Sequence, residues 1–133
     1  MLDVSFYKDK KVLITGHTGF KGSWMCQLLI MAGAKVTGYA LEAPTDPSLF
    51  EMCHLADHMQ SVIGDVRDLD HMKKVFDEVQ PEIVIHMAAQ PIVRESYKNP
   101  VYTYETNVMG TVNVLECVRL TSSVKSLSLI HIS

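Results

Sequence analysis

A glycine-containing loop near the start of the chain has the chemistry to hold phosphates. The segment Gly16-His17-Thr18-Gly19-Phe20-Lys21-Gly22 follows the apolar residues 12–14 and leads into the apolar residues 24–31. A strand, a glycine turn and a helix in this order suit a dinucleotide pyrophosphate, because glycines let the backbone approach the phosphates and the helix N-terminus offers N–H groups. The spacing is G-x-x-G-x-x-G, and a tight turn that binds no ligand is the alternative.

The composition limits the classes of function. The chain has 133 residues, of which 47% are hydrophobic and 20% charged, enough for one core and therefore one globular domain or part of one. A net charge of −3 and a pI near 6.0 argue against a nucleic-acid partner, which needs a basic surface. Residues 1–10 lack the apolar region of a signal peptide, and no apolar run approaches the roughly 20 residues of a membrane-spanning helix. We therefore expect a cytoplasmic protein without a membrane partner.

The cysteines and histidines predict neither a disulfide framework nor a metal site. The three cysteines are isolated, and Cys26 and Cys117 lie in helical patterns as small buried hydrophobes. His54 and His58 lie four residues apart beside Cys53, a spacing that could hold a metal on one helical face. Without a third ligand at a suitable spacing, a solvated polar face is the better interpretation, and no metal is expected.

Alternating strand and helix patterns must position the loop. Strands are expected at residues 11–15, 35–40, 61–64 and 82–87, with a fifth within 124–132. Helices are expected at residues 22–31, 48–58, 68–79 and 101–120. The third of these has one apolar face, and the last has an apolar stripe that includes Val108, Val112 and Leu115. Strands separated by helices predict a doubly wound α/β fold with a parallel sheet.

In such a sheet, ligands bind outside the carboxyl ends of the strands. After the third strand comes Asp65, which could accept a hydrogen bond from an adenine amino group or could cap the next helix. After the fourth strand come Ala88, Ala89 and Gln90; the small alanines could admit a flat ring or could serve tight packing. Lys21 could neutralise a phosphate, or it could simply be solvated.

Five segments of the chain resemble a known family. They are T-G-H-T-G-F-K-G-S-W (15–24), G-Y-A-L-E-A-P-T (38–45), G-D-V-R-D (64–68), H-M-A-A-Q-P-I-V-R-E-S-Y (86–97) and T-N-V-M-G-T-V-N-V-L-E (106–116). In this order and spacing they are similar to the extended short-chain dehydrogenase/reductases, and within them to the nucleotide-sugar 4,6-dehydratases that act on CDP-glucose. The resemblance covers about residues 10–124 and implies a Rossmann fold.

The resemblance also implies a reaction and a cofactor. Bound NAD would take hydride from C4 of the sugar, water would leave across C5 and C6, and hydride would return to C6. The implied pyrophosphate turn consists of Gly16, Thr18, Gly19, Phe20, Lys21 and Gly22. The other implied cofactor residues are Asp65 and Val66 at the adenine, Ala88, Ala89 and Gln90 towards the nicotinamide, and Asn107 at the active-site helix. Arg94 and Ser96 are the implied contacts to the nucleotide-sugar, and the complete enzyme is implied to be a homodimer.

The sequence departs from the family in two places. Many NAD-using relatives carry an aspartate at the end of the second strand, whereas this chain has Ala40 there and its nearest acid is Glu42, so NADP is left open. Family members also continue into a Thr/Ser-Asp-Lys segment, a catalytic Tyr-x-x-x-Lys and a sugar-binding lobe, none of which occurs in these 133 residues. We therefore expect residues 1–124 to be the N-terminal cofactor-binding part and residues 125–133 to be an aberrant or truncated tail, with the sheet truncated after about five strands.

Two further functions are compatible with these residues. One is another nucleotide-sugar enzyme of the same family, a dehydratase for GDP-mannose or an epimerase for UDP-sugars, which the part that carries the base-recognising pocket would distinguish. The other is a non-catalytic dinucleotide-binding module. A nucleotide hydrolase is disfavoured, because Gly22 is followed by Ser23 rather than by a Lys-Ser/Thr pair. A sheet of five strands would also leave much of the helix at 101–120 uncovered, so we expect a poorly soluble chain.

Overall fold

Five strands and three longer helices make up the described part of the chain. The computed structural model describes residues 4–18, 20–41, 57–87, 101 and 105–129. The strands are β1 (Lys11–Thr15), β2 (Lys35–Ala40), β3 (Gln60–Ile63), β4 (Ile83–His86) and β5 (Ser126–Leu129). The helices are α1 (Phe20–Met31), α2 (Leu69–Val79) and α3 (Gly110–Leu120); a 3₁₀ turn (Val4–Tyr7) precedes β1, and a π-helical turn (Glu105–Met109) precedes α3.

The strands form one parallel sheet in the order β3-β2-β1-β4-β5. The doubly wound fold predicted from the sequence is therefore confirmed. The order reverses between β1 and β4, which is where ligands bind in folds of this kind. In the register of the sheet, Thr15 at the end of β1 lies between Tyr39 of β2 and His86 of β4.

Side chains alternate between two cores on opposite faces of the sheet. One core packs α1 against the strands and includes Val12, Ile14, Cys26 and Leu29. The other packs α2 and α3 against the opposite face and includes Leu13, Tyr39, Phe76, Val84 and Val114. Because β1 and β4 are covered on both faces, their sequences are nearly continuous apolar runs.

Local sequence determines where the helices begin and end. Gly33 adopts φ +86° after α1, and the N–H of Ala34 donates to the Leu29 carbonyl at 3.0 Å. Asp68 caps α2, since its carboxylate accepts from the His71 N–H at 3.1 Å. Gln80 ends α2 in the left-handed conformation, with its N–H donating to Phe76.

The region before β5 differs from the sequence-based prediction. Within the helix expected at 101–120, the described residues form a π-helical turn (105–109) that is followed by regular α-helix from Gly110. The face of α3 that packs on the sheet carries Gly110, Asn113, Val114 and Cys117. The stripe of Val108, Val112 and Leu115 is exposed instead, in keeping with the expected exposure of much of this segment.

Three other predictions concern segments that lie partly outside the described residues. The helix expected at 48–58 lies almost wholly outside them. The expected fifth strand is confirmed, since Ser126–Leu129 pairs in parallel with β4. The assignment of residues 125–133 as an aberrant tail stays a prediction.

Candidate cofactor-binding site

The glycine loop joins β1 to α1 through a close backbone contact. Gly16 leaves β1 with φ +81°, and its N–H donates to the Tyr39 carbonyl at 3.0 Å. A Cβ atom at Gly22, in the first turn of α1, would lie 2.0 Å from the Gly16 carbonyl oxygen. Only glycine therefore fits at position 22, and the N-terminus of a 12-residue helix is held directly behind the turn. This cradle suits a pyrophosphate group.

Polar side chains of the loop point into the protein and tie it to the neighbouring strands. The Thr18 hydroxyl donates to the Leu41 carbonyl, just beyond β2, at 2.9 Å. The Ser23 hydroxyl donates to the His17 carbonyl at 2.8 Å. Lys21 is exposed on α1, so the amino group is available to an anion at the loop.

His17 anchors the loop to β3. Its side chain is fully buried, and its Nε2 lies 2.7 Å from the Ser61 hydroxyl. The ring occupies space beside β2 that a Cβ at Gly38 would fill, since that atom would come within 2.2 Å of the ring. Burial lowers the pKa of His17 to about 4, so the ring is neutral at pH 7.

Asp65 lies beyond β3 in a turn held by its own carboxylate. The side chain pairs with Arg67 at 2.6 Å (Nη2 to Oδ2) and accepts from the Arg67 backbone N–H at 2.9 Å. The hydrogen bond from the Arg67 side chain holds the pKa of Asp65 below its usual value. Because Asp68 caps α2, the alternative that Asp65 is the helix cap is wrong.

Two buried side chains, Tyr39 of β2 and Asn113 of α3, hold the backbone of this turn by hydrogen bonds. The Tyr39 hydroxyl donates to the Asp65 carbonyl at 2.7 Å, and burial raises the pKa of Tyr39, which keeps the donor protonated. The Asn113 amide donates to the Val66 carbonyl at 2.9 Å. The Val66 side chain packs against Gly110, where a Cβ would approach it to 2.7 Å. The turn is thus clamped between β2 and α3.

A second polar network lies at the ends of β1 and β4. The Thr15 hydroxyl is 2.6 Å from His86 Nδ1, and it accepts from the Met87 N–H at 3.0 Å. On the other side of the ring, His86 Nε2 is 3.2 Å from the Thr111 hydroxyl of α3. That hydroxyl donates to the Asn107 carbonyl in the π-helical turn at 2.7 Å.

The structure brings together most of the predicted cofactor residues that it describes. Gly16, Thr18, Lys21 and Gly22, with the backbone of Phe20, form the loop. Asp65 and Val66 follow the edge strand β3, and Asn107 lies in the π-helical turn rather than in a regular helix. Gly19, Ala88, Ala89, Gln90, Arg94 and Ser96 lie outside the described residues.

Several polar residues at this edge were not predicted as site residues, and all are buried. They are Thr15, His17, Tyr39, His86 and Asn113. The available signal was a polar residue within an apolar pattern, most clearly His86 at the end of I-V-I-H. Their roles depend on partners far away in sequence, which one strand or helix pattern does not reveal.

The described residues contain neither a cluster of metal-ligating side chains nor a membrane-spanning helix. No three His, Cys, Asp or Glu side chains in that part of the chain come together as metal ligands, and Cys53 and His54 are not among them. No helix within the same residues is long and apolar enough to cross a membrane.

The parallel sheet and the glycine loop between β1 and α1 define a Rossmann-fold protein, and solved structures agree. An epimerase from Methanothermobacter thermautotrophicus matches with a TM-score of 0.82 and 30% identity, over 95% of this chain and 36% of that one. The NAD complex of UDP-glucose 4-epimerase from Thermus thermophilus matches with a TM-score of 0.78 and 32% identity, over 88% of this chain and 36% of that one.

Sequence comparison narrows this class to one family. The family model described as GDP-mannose 4,6 dehydratase matches residues 13–133, and the chain belongs to that family. CDP-glucose 4,6-dehydratase from Salmonella typhimurium is 55% identical over 126 residues, which are 95% of this chain and 35% of that protein. The chain thus spans about a third of the length of the curated relatives it matches.

Proposed function

We propose that this chain forms the NAD-binding part of a nucleotide-sugar 4,6-dehydratase that acts on CDP-glucose. The observation that carries the proposal is the 55% identity to CDP-glucose 4,6-dehydratase along nearly the whole chain. The close packing of Gly22 against the Gly16 carbonyl supports the cofactor part, because it holds the helix N-terminus and its N–H groups directly behind the turn. In the complete enzyme, which we propose is a cytoplasmic homodimer, the catalytic Tyr-x-x-x-Lys and the sugar-binding lobe come from outside these 133 residues.

The proposed cofactor lies along the carboxyl edge of the sheet. Backbone N–H groups at the start of α1 face the pyrophosphate, and Lys21 adds a positive charge. Asp65 accepts from the adenine amino group, since its carboxylate is held ionised by Arg67. NAD is favoured over NADP by the NAD complexes of the related epimerases from Brucella ovis and Thermus thermophilus.

NAD, when bound, accepts hydride from C4 of the sugar and returns it to C6 after water has left, so the reaction is redox-neutral. The residues of this chain bind and orient the cofactor. The hydrogen bonds from Thr18 to the Leu41 carbonyl and between His17 and Ser61 hold the loop in place before NAD binds. Less conformational entropy is therefore lost on binding. Alanines 88 and 89 and Gln90 follow β4 in sequence, and we propose that they line the path to the nicotinamide.

Chimeric enzymes test this function. We would replace the matching third of Salmonella typhimurium CDP-glucose 4,6-dehydratase with this chain and, in parallel, the matching third of Thermus thermophilus UDP-glucose 4-epimerase. The dehydratase chimera is expected to convert CDP-glucose to the 4-keto-6-deoxy product, and the epimerase chimera to be much less active. A Gly22→Ala version of each chimera is the matched control for cofactor binding.

The outcomes separate the proposed function from two alternatives. An active epimerase chimera beside an inactive, folded dehydratase chimera would favour a UDP-sugar epimerase, which the similarity to solved UDP-glucose 4-epimerases supports. Two folded chimeras that bind NAD without turnover would favour a non-catalytic dinucleotide-binding module. Either result would overturn the dehydratase proposal.

A further inference from the structure

With a neutral His86 ring, the hydrogen bonds around it have only one consistent direction. The Asn107 carbonyl can only accept, so the hydrogen in its 2.7 Å contact with Thr111 belongs to the Thr111 hydroxyl. The Thr111 oxygen must then accept from His86 Nε2, 3.2 Å away, which places a proton on Nε2. In a neutral ring Nδ1 is consequently unprotonated, and it accepts from the Thr15 hydroxyl at 2.6 Å. The Thr15 oxygen in turn accepts from the Met87 N–H.

This chain of hydrogen bonds, which we call the His86 relay, joins three elements at the switch point of the sheet. Thr15 is the last residue of β1 and directly precedes Gly16, where the glycine loop begins. His86 is the last residue of β4, and it is 5% exposed. Thr111 lies in the first turn of α3 and reaches back to the π-helical turn through Asn107.

The position of the relay matters because it links the end of β1, where the glycine loop begins, to the π-helical turn through His86 of β4. Backbone contacts fix Thr15 to β4, since the Met87 N–H also donates to the Thr15 carbonyl at 3.1 Å. A polar side-chain link from β4 to α3 is made by His86 Nε2. Moving the Thr111 end would shift the turn that carries Asn107 relative to the loop.

We infer that His86 is a positioning residue, which sets the π-helical turn at Asn107 against the glycine loop so that both contact the same dinucleotide. The inference rests on the proposed function, since it assumes that NAD lies across the ends of β1 and β4. His86 itself acts through Thr15 and Thr111 and needs no contact with the cofactor. The neutral Nε2–H tautomer of its ring is the signature of the relay.

Nitrogen NMR of the full chain with ¹⁵N-labelled histidine tests the tautomer. The His86 signals, assigned by their loss in His86→Asn, are expected to show a protonated Nε2 and an unprotonated Nδ1 at neutral pH. Thr111→Ser keeps the hydroxyl and is expected to keep this pattern, whereas Thr111→Val removes it and should abolish the preference. A protonated Nδ1 in the parent chain would overturn the relay.

Calorimetric titration with NAD tests the positioning role on the same variants. Thr111→Val is expected to weaken NAD binding about tenfold, because it removes one acceptor and one donor from the relay, while Thr111→Ser should stay within about twofold of the parent. Ser123→Ala is the matched control, since it removes a hydroxyl that donates to the Pro81 carbonyl at the opposite edge of the sheet. It should leave NAD affinity unchanged.

The outcomes separate the inference from the proposed function. Equal NAD affinities for Thr111→Val and Thr111→Ser, in a parent chain that binds NAD, would overturn the positioning role alone. An equal loss of affinity in Ser123→Ala would show that the loss in Thr111→Val comes from general destabilisation. That result would also overturn the positioning role. A parent chain that shows the expected tautomer but binds no NAD would overturn the proposed cofactor function, and the positioning role with it.

Discussion

At the scale of single residues, the site depends on two glycines, which leave space for neighbouring groups because they carry no side chain. Gly22 and Gly38 leave space that the Gly16 carbonyl and the His17 ring occupy. The first contact was foreseeable, because a glycine opening a helix after a strand is part of a known phosphate-binding pattern. The second was not, because it joins residues of two different elements whose distance the sequence does not state.

Gly22→Ala is expected to weaken NAD binding at least tenfold, because the added Cβ would lie 2.0 Å from the Gly16 carbonyl and push the loop away from α1. Calorimetric titration of the chain with NAD measures the change. Gly33→Ala is the control at the other end of α1. Its positive φ makes the substitution cost about 1–2 kcal/mol of stability, with no effect on affinity. Equal affinities for Gly22→Ala and the parent would contradict the assigned loop geometry.

Stability is expected to fall as the pH drops, because of His17. Burial lowers its pKa from 6.5 to about 4, so between these values the unfolded chain binds the proton more readily than the folded chain does. The contribution of His17 is complete above pH 6.5 and is lost towards pH 4, by roughly 3 kcal/mol. Urea unfolding of the parent and of His17→Gln across this range measures it. The same pH dependence in both proteins would show that His17 is not the group responsible.

At the scale of elements, apolar runs and capping residues in the sequence predicted the positions of several strands and helices. β1 and β2 lie where they were predicted, and β1 carries the apolar run expected of a strand that is covered on both faces. The apolar face of α2 is also as predicted, with Met72, Val75 and Phe76 buried. For α3 the packed face could not be predicted, because it includes Gly110 and Asn113, while the stripe of larger apolar residues is exposed.

The cap of α2 offers a direct measure of how local sequence stabilises an element. Asp68→Ala is expected to lower the free energy of unfolding by about 1 kcal/mol, because the His71 N–H loses its acceptor. Asp68→Ser retains an acceptor at the same position and should stay close to the parent. Chemical denaturation compares the three proteins. An unchanged stability in Asp68→Ala would mean that water replaces the cap without cost.

At the scale of the whole molecule, apolar surface remains exposed along α3 and the turn before it. Val108, Met109, Val112 and Leu115 are each 39–48% exposed, and they form a continuous patch by their helical spacing. Patches of this kind mark interaction surfaces or sites of aggregation. The poor solubility expected from the sequence stays a prediction, and the patch identifies the residues that would cause it.

The double substitution Val112→Lys and Leu115→Lys is expected to raise the solubility of the chain, while changing its stability by no more than about 0.5 kcal/mol per site. Val114→Lys is the control on the buried face of the same helix. It should unfold the chain, because Val114 is fully buried and a lysine there would place a charge in the core. Solubility limits and circular dichroism compare the variants. An unchanged solubility in the double variant would exclude this patch as the cause.

Titration of the folded chain with NAD and, separately, with NADP measures whether the glycine loop holds a dinucleotide. We expect one NAD to bind per chain, more tightly than NADP, and binding to weaken in Gly22→Ala, whose Cβ would clash with the Gly16 carbonyl. A chain with the helix and sheet content described above that binds neither dinucleotide would contradict this expectation. The glycine loop would then be a turn between β1 and α1 with no cofactor role.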